Sequence, residues 1–494
     1  MEDEWTANAN EALTISLVKP ADSAIEKIIS FNPKFTYPIF GEDERIFGYK
    51  GLKINLQYDA RNLRPHCSVS SSKKFNAVGE VEAVNVREVM KEFLPGVAFQ
   101  TRSEYETALR DVSDTWAPPG ILVKTAEKGG ETYEIWRGSL ADPAVKQLIR
   151  RSQIMALLFI EGGSYIGLEA DGKDDPQYSL ERWSVFLVYK KQVGPGATGK
   201  QEYIFQGFST VYDFWMYEPP FVSNAREENA PIQPKVDHSW ELPQGDFAKF
   251  ARRARISQFI VLPPYQGKGV GALLYDTIFD LYMVDAATKE ITVEDPNEDF
   301  DFLRDICDLK YLRKNVPEFA ALKVNTNTSI PDKGGFLHHN TQISLDNSAG
   351  SSTDGIVDIT KLEKMRIKSK IAPRQFWRLV EMHLMSTLPA SVRPQADAES
   401  MKPPAPKADQ KVYTLWRLLL KQRLYRRNVL ILGELEITER IIKLNETVNN
   451  VEWEYARILE RLEPKTTTAN GKRKLDGQAD EDMPSSKKAR VSDA

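Results

Sequence analysis

Cysteine is nearly absent from this chain: Cys67 and Cys307 are the only two in 494 residues, and they lie far apart. That supplies no disulfide framework, which suits a reducing compartment, and no zinc-ligand spacing with the five histidines. The adjacent pair His338-His339 follows Gly334-Gly335 and reads as a solvated turn rather than a metal site. No apolar run approaches the roughly eighteen residues of a membrane span. The opening Met1-Glu2-Asp3-Glu4 has neither the apolar segment of a secretory signal nor the arginines of a transit peptide. Charge of one sign is also lacking. With 66 Lys and Arg against 70 Asp and Glu, the net charge of −4 is not that of a chain built to grip nucleic acid. What is present is 41% hydrophobic residues, enough for sizeable cores over roughly two to four domains.

Residues 12–212 read as mixed α/β. Leu13 to Val18 and Ile46 to Tyr58 alternate like strands, and Val86 to Phe93 reads as a short helix. Asp142 to Glu161 reads as one long helix, with Asp142 as N-cap and Pro143 in the first position. Arg182 to Lys190 and Glu202 to Tyr217 form an expected hairpin across Val193-Gly194-Pro195-Gly196. Glu218 to Asp246 reads as an inserted loop. Ser257 to Leu262 is an apolar strand, a helix runs from Gly269 to Asp285, and Glu290 to Glu294 is the next strand. Such a strand-helix-strand unit implies a parallel pair. Ser344 to Asp358 and Pro394 to Pro406 read as linkers, Ile371 to Leu388 as a helix, Gln410 to Leu462 as two helical segments, and Pro464 to Ala494 as a tail too polar to pack.

The motif that carries chemistry is Gln266-Gly267-Lys268-Gly269-Val270-Gly271, set between a strand and a helix. Glycines let the backbone turn tightly and approach an anion, and the helix start offers unpaired N–H groups and a positive dipole end. Together they make a diphosphate cradle. It is not a P-loop, because no Gly-Lys pair is followed by Ser or Thr. The dinucleotide pattern fits loosely through Gly267, Gly269 and Ala272, but it would open a doubly wound domain rather than come late in the chain. A glycine-rich turn without a ligand is the plainer alternative.

The Q-x-x-G-x-G pattern resembles the acetyl-coenzyme A loop of the GNAT superfamily of N-acetyltransferases. In that superfamily the preceding strand lends its backbone to the pantetheine arm, which here points to Phe259, Ile260 and Val261, with Gln266, Gly267, Lys268, Gly269, Val270, Gly271 and Ala272 around the diphosphate. The run from Ile291 to Glu298, Phe302-Leu303-Arg304-Asp305, Phe40-Gly41 with Phe47 to Gly51, and Gly207 to Tyr212 are similar to the histone acetyltransferase type B catalytic subunit family. The resemblance implies a GNAT-type mixed α/β (α+β) fold. It divides the chain into an N-terminal mixed domain over 1–140, an acetyltransferase domain over 141–315, a C-terminal helical region over 316–463 and a tail over 464–494. It also implies acetyl-coenzyme A as donor with no metal, tail lysines of newly synthesised histone H-4 as acceptor, and a WD-repeat histone chaperone as partner. Cytoplasm and nucleus are the expected compartments, with no membrane or direct nucleic-acid contact. The low-complexity C-terminal stretches depart from the family and carry no role from it.

A lysine side chain titrates at about 10.4, so acetyl transfer to it needs a proton acceptor. Glu294 is the expected base, because it ends the strand after the phosphate helix. Asp295 beside it is expected to tune it by like-charge repulsion. The plainer alternative is a polar strand end before Pro296. The resemblance points to the same Glu294, to Glu161 as a second acidic helper, and to Asn297 and Phe300 as cofactor contacts. It sets Glu42 and Glu44, in Gly41-Glu42-Asp43-Glu44, against the basic histone tail; a solvated turn is the alternative. Tyr212 is expected to pack on the lysine stem, or to be a half-buried strand aromatic. Cys307 reads as a helix core residue, and direct attack of the amine on the thioester is expected. Two basic clusters, Lys472-Arg473-Lys474 and Lys487-Lys488-Ala489-Arg490, read as an import signal or as a solubilising tail. Two rivals remain at this stage: an acetyltransferase for a small amine, and a non-catalytic histone-binding assembly factor.

Overall fold

The computed structural model describes residues 3–21, 25–193, 201–216, 250–328, 355–396 and 404–463. The expected hairpin turn after Val193, the loop 218–246, the pair His338-His339, the tail, most of 344–358 and part of 394–406 lie outside them.

The N-terminal part holds eight strands: β1 (Thr6–Asn8), β2 (Leu13–Pro20), β3 (Ile25–Phe31), β4 (Arg45–Phe47), β5 (Tyr49–Lys50), β6 (Lys53–Asp59), β7 (Pro65–Ser70) and β8 (Lys73–Lys74). Four of them make one sheet in the order β3-β2-β6-β7, while β1 pairs β4 and β5 pairs β8. The single strand expected over Ile46 to Tyr58 is therefore three. Gly48 and Gly51 take φ of +103° and +60°, which breaks the run and sends its pieces to different partners. Two helices follow. In α1 (Val86–Phe93) the Asn85 side chain caps the Glu88 N–H, and α2 (Arg102–Arg110) starts on a Thr101–Glu104 capping box.

A second sheet has six strands: β9 (Ile121–Lys128), β10 (Glu131–Ser139), β11 (Trp183–Val193), β12 (Gln201–Trp215), β13 (Arg252–Val261) and β14 (Thr288–Val293), in the order β14-β13-β12-β11-β10-β9. All pairs are antiparallel except β13–β14, which is parallel. The sheet draws β9 and β10 from before residue 140. Between β10 and β11 the helix expected over 142–161 is two, α3 (Pro143–Ser152) and α4 (Ile154–Phe159), with a break at Gln153. Asp142 does cap α3, accepting from the Ala144 and Val145 N–H groups.

On the sheet's other face lies α5 (Val270–Val284), where Tyr282 packs against Phe186 of β11. The helix α6 (Glu298–Asn315) follows β14. Next come α7 (Ile359–Ser369), α8 (Pro373–Ser386), α9 (Lys407–Arg427), a short helix Val429–Gly433 and α10 (Ile437–Leu462). The region 410–462 thus has three helical segments where two were expected. Lys370, in the turn before α8, donates from Nζ to the Tyr282, Met283 and Asp285 carbonyls at 3.1, 2.8 and 2.6 Å and closes the C-terminus of α5. Beside it Ile371 bridges Ile291 in parallel, covering the outer edge of β14.

What joins the C-terminal helices to α6 is buried and ionic. Asp305 accepts from Arg378 at 2.7 Å and Gln375 at 3.0 Å, and Asp308 accepts from Tyr275 at 2.8 Å and Gln375 at 3.1 Å. Farther along α8, Glu381 accepts from Arg423 at 2.6 Å and Tyr455 at 3.0 Å. Because every one of these carboxylates is paired, the interface tolerates charges that would otherwise be costly to bury.

Candidate active site

The strands β13 and β14 pair only as far as Ile256 opposite Val293, where the Glu294 N–H donates to the Ile256 carbonyl at 2.9 Å. Beyond that point β13 runs on to Val261 with β12 on one side and, among the described residues, no strand on the other. The Leu262 N–H donates to the Gln206 carbonyl on the β12 side at 2.9 Å. Backbone groups alternate along a strand, so Ile260 also faces β12, while Phe259 and Val261 turn theirs to the open edge. The Val261 carbonyl accordingly accepts from Gln266 Nε2 at 2.8 Å. Gly207 is required opposite: a Cβ there would stand 2.2 Å from the Ile260 carbonyl oxygen.

The open edge leads into the glycine loop. Gly267 and Gly269 take φ of +71° and +80°, and Gly269 is the N-cap of α5. No side chain caps that helix start, and its first turn holds no acidic residue, so its N–H groups and positive dipole end are left for an anion. Val270 is buried beneath the loop, and Gly271 faces Leu303, which a Cβ there would meet at an ordinary contact distance of 3.5 Å. Ala272 packs half-buried against the core. Lys268 is exposed, with its ammonium over the Tyr265 ring at 5.7 Å. Asn297 caps α6, its Oδ1 accepting from the Phe300 N–H at 2.9 Å. Phe300 meets Phe259 edge-on at 5.0 Å and Tyr275 at 5.9 Å, which brings the start of α6 against the open edge.

Glu294 and Asp295 are both exposed where β14 ends, and Asp295 takes a left-handed φ of +33° that turns the chain away. The charged side chain against Glu294 is a cation: Arg255 reaches it at 3.1 Å while stacking on the Phe214 ring at 4.4 Å. Tyr212 stands opposite Arg255 in register. Its half-buried ring contacts Trp183 and Phe214, each at 4.7 Å, and the Arg182 guanidinium lies 4.5 Å from its centre.

The turn carrying Glu161 lies past the end of α4, between β13 and the N-terminal part. The Ser164 carbonyl accepts from Gln258 Nε2 at 2.7 Å, and the Gly162 N–H donates to the Tyr37 hydroxyl at 2.9 Å. Seven residues on from Tyr37, Glu44 uses its carboxylate internally. It accepts from the Thr36 and Tyr37 N–H groups at 2.6 and 3.2 Å and from Asn10 Nδ2 at 2.7 Å. Glu42 and Asp43, by contrast, are exposed. Among the described residues no cluster of His, Cys, Asp and Glu could hold a metal ion, and no helix is long and apolar enough to cross a membrane. Cys307 is buried in α6, and burial pushes its thiol up, away from the thiolate a nucleophile requires.

Two family models match the chain. One, described as histone acetyl transferase HAT1 N-terminus, covers residues 5–161, and one, described as fungal HAT1, C-terminal, covers 347–389. Three relatives named histone acetyltransferase type B catalytic subunit align along essentially the whole length. The one from Gibberella zeae is 46% identical over 100% of both chains. That from Pyricularia oryzae is 43% identical over 100% of this chain and 99% of its own, and that from Neurospora crassa 40% over 99% and 98%. The chain belongs to this family. As a type B histone acetyltransferase catalytic subunit, it sets Phe259 and Val261 on the open edge of β13, the glycine loop at the start of α5, and Asn297 and Phe300 at the start of α6, whereas Ile260 turns its backbone groups to β12. Glu294, Tyr212 and the Glu161 turn lie around the same strand. Arg255, Gln258 and Tyr37, which tie these pieces together, were not singled out from the sequence. The one signal for Arg255 was its place among three arginines, Arg252, Arg253 and Arg255, at the start of an otherwise apolar strand.

Proposed function

We propose that this subunit transfers acetyl from acetyl-coenzyme A to tail lysines of newly synthesised histone H-4. The observation that carries the reading is the continuity of the open β13 edge with the glycine loop, ending beside Glu294 where the parallel pairing stops. Phe259 and Val261 offer backbone groups to the pantetheine arm, and the amides from Gly267 to Gly271 offer donors to the diphosphate. Asn297 and Phe300 border the same channel. When bound, the donor supplies an acetyl thioester: transfer forms the N–C bond, breaks the C–S bond and releases the coenzyme as a thiolate that takes up a proton. Glu294 removes the proton from the lysine ammonium first, held in place by Arg255. Asp295 and Glu161 add negative charge on the acceptor side. Tyr212 packs on the lysine stem, and Glu42 with Asp43 attracts the basic tail, while Glu44 braces that turn.

Family membership also supports work on histone before its assembly into chromatin, beside a WD-repeat histone chaperone. The basic clusters at 472–474 and 487–490 support passage between cytoplasm and nucleus. The test is labelled acetyl-coenzyme A offered with the H-4 tail peptide, with a polyamine, or alone. Label on the peptide is the expected result. Label on the polyamine alone would make this a small-amine enzyme, and no label at all an assembly factor without catalysis.

A further inference from the structure

At the edge of the sheet farthest in order from β13, the hairpin between β9 and β10 turns through Gly129 and Gly130, with φ of +59° and +78°. The hairpin tip nevertheless reaches the cofactor loop. Lys128, the last residue of β9, donates from Nζ to the Gly269 carbonyl at 3.0 Å. Its ammonium fills the space over the left-handed backbone of Gly269, so closely that a Cβ there would stand 1.9 Å from it.

This is an unusual place for a cation. The N-terminus of α5 is the positive end of its dipole, where positive charge is disfavoured and anions are favoured. Lys268 adds a second exposed ammonium on the same loop, and the first turn of α5 holds no acid to offset either. Among the described residues Lys128 has no ion pair, whereas the next charged residue, Glu131, is held by Lys190 at 2.5 Å and by the Tyr133 hydroxyl at 2.6 Å. Glu131 stands opposite Lys128 in register, so that anchor fixes the tip of the hairpin while Lys128 projects over the loop. With Glu131 engaged by Lys190 and Tyr133 and no acid in the first turn of α5, two cations gathered on a helix start suit a ligand that brings negative charge of its own.

We infer that Lys128 is a further cofactor-binding residue, contributed by the β9–β10 hairpin, whose ammonium pairs with the diphosphate of the acyl donor. The inference rests on the proposed donor site and deepens it. In the free protein the Gly269 carbonyl holds Lys128 in position. With donor present, the ammonium exchanges that carbonyl for a phosphate oxygen.

The experiment measures coenzyme A binding by calorimetry for the full chain, Lys128→Ala and Lys128→Arg, and turnover with acetyl-coenzyme A and with S-acetylpantetheine, which lacks the diphosphate. The expected result is that Lys128→Ala weakens coenzyme A binding and raises the KM for acetyl-coenzyme A by roughly three- to tenfold, with kcat within about twofold. Lys128→Arg should retain most of the affinity, and S-acetylpantetheine should be used equally by all three proteins. Unchanged coenzyme A binding in Lys128→Ala overturns the assignment, and so does an equal loss with S-acetylpantetheine, since a purely structural role would harm both donors. Absence of coenzyme A binding in the unsubstituted chain is the separate outcome that removes the donor site itself. Lys128 is exposed, so a melting temperature matching that of the unsubstituted chain accompanies a valid comparison.

Discussion

Glu294→Gln removes the proposed proton acceptor while keeping the shape of the side chain. Its effect on folding should be small. Among the described residues Glu294 makes one ion pair, with Arg255 at 3.1 Å, and the two side chains are 40% and 34% exposed. Pairs that exposed contribute roughly 0.2–1 kcal/mol, so the melting transition should hardly move. Its effect on turnover should be large. At pH 7.4 about one lysine side chain in a thousand is neutral, and a positioned base contributes roughly 10²–10⁴-fold. Without the base, the rate must wait on that neutral fraction, which rises tenfold per pH unit until about pH 10.4. The assay is kcat/KM on the H-4 tail peptide from pH 7 to pH 9, with coenzyme A affinity measured alongside. We expect the variant to fall by about 10³-fold at pH 7.4, to climb with a slope near one, and to close on the unsubstituted enzyme, with donor affinity unchanged. A variant within about twofold of the parent at pH 7.4, or one whose profile runs parallel to it, would refute the reasoning.

Three further outcomes follow from the same geometry. Gly269→Asp should abolish measurable coenzyme A binding by calorimetry, because it puts charge and bulk over the helix start. At φ +80° its fold cost should stay near about 1–2 kcal/mol. Arg378→Ala should lower the stability seen in chemical denaturation by roughly 3–5 kcal/mol, since it strands the buried Asp305 and loosens α8 from α6. His383 is held neutral, lowered to about 4 from 6.5 by burial and the nearby Arg313. Below pH 6.5 the unfolded chain takes a proton that the folded one refuses, so this residue's contribution is lost as pH falls from 6.5 towards 4, by about 3 kcal/mol. Asp213 and Asp308, raised to about 6 by burial, act in the opposite sense. The measurement is therefore a signed difference: stability at pH 7 minus stability at pH 4.5 should be lower in His383→Gln than in the parent, because the variant no longer loses the His383 contribution on acidification.

Local signals made the stretch from Ser257 to Glu294 legible. An apolar strand, a glycine-rich turn, a helix with apolar residues at helical spacing and a second strand are each written within a few residues, and the parallel pair they imply is present. The caps at Asn85 and Asp142 were legible for the same reason. Less local elements were missed. The strand β9 is mostly exposed and rich in lysine, so it lacks the alternation that marks a half-buried strand. The helix α6 was not delimited because much of its buried face, Arg304, Asp305 and Asp308, is charged, and apolar periodicity cannot reveal a face that packs through ion pairs.

By itself the sequence determined the strand, glycine turn, helix and strand from Ser257 to Glu294, because backbone turns and helix starts depend on neighbouring residues. Only the tertiary structure decided what surrounds that unit: that β13 outruns β14, that Arg255 stands against Glu294, that Glu44 is spent on its own turn, and that Lys128 reaches Gly269 across 141 residues of chain. Contacts of that kind are fixed by how sheets and helices stack, and side chains so far apart along the chain leave no periodic trace of the meeting.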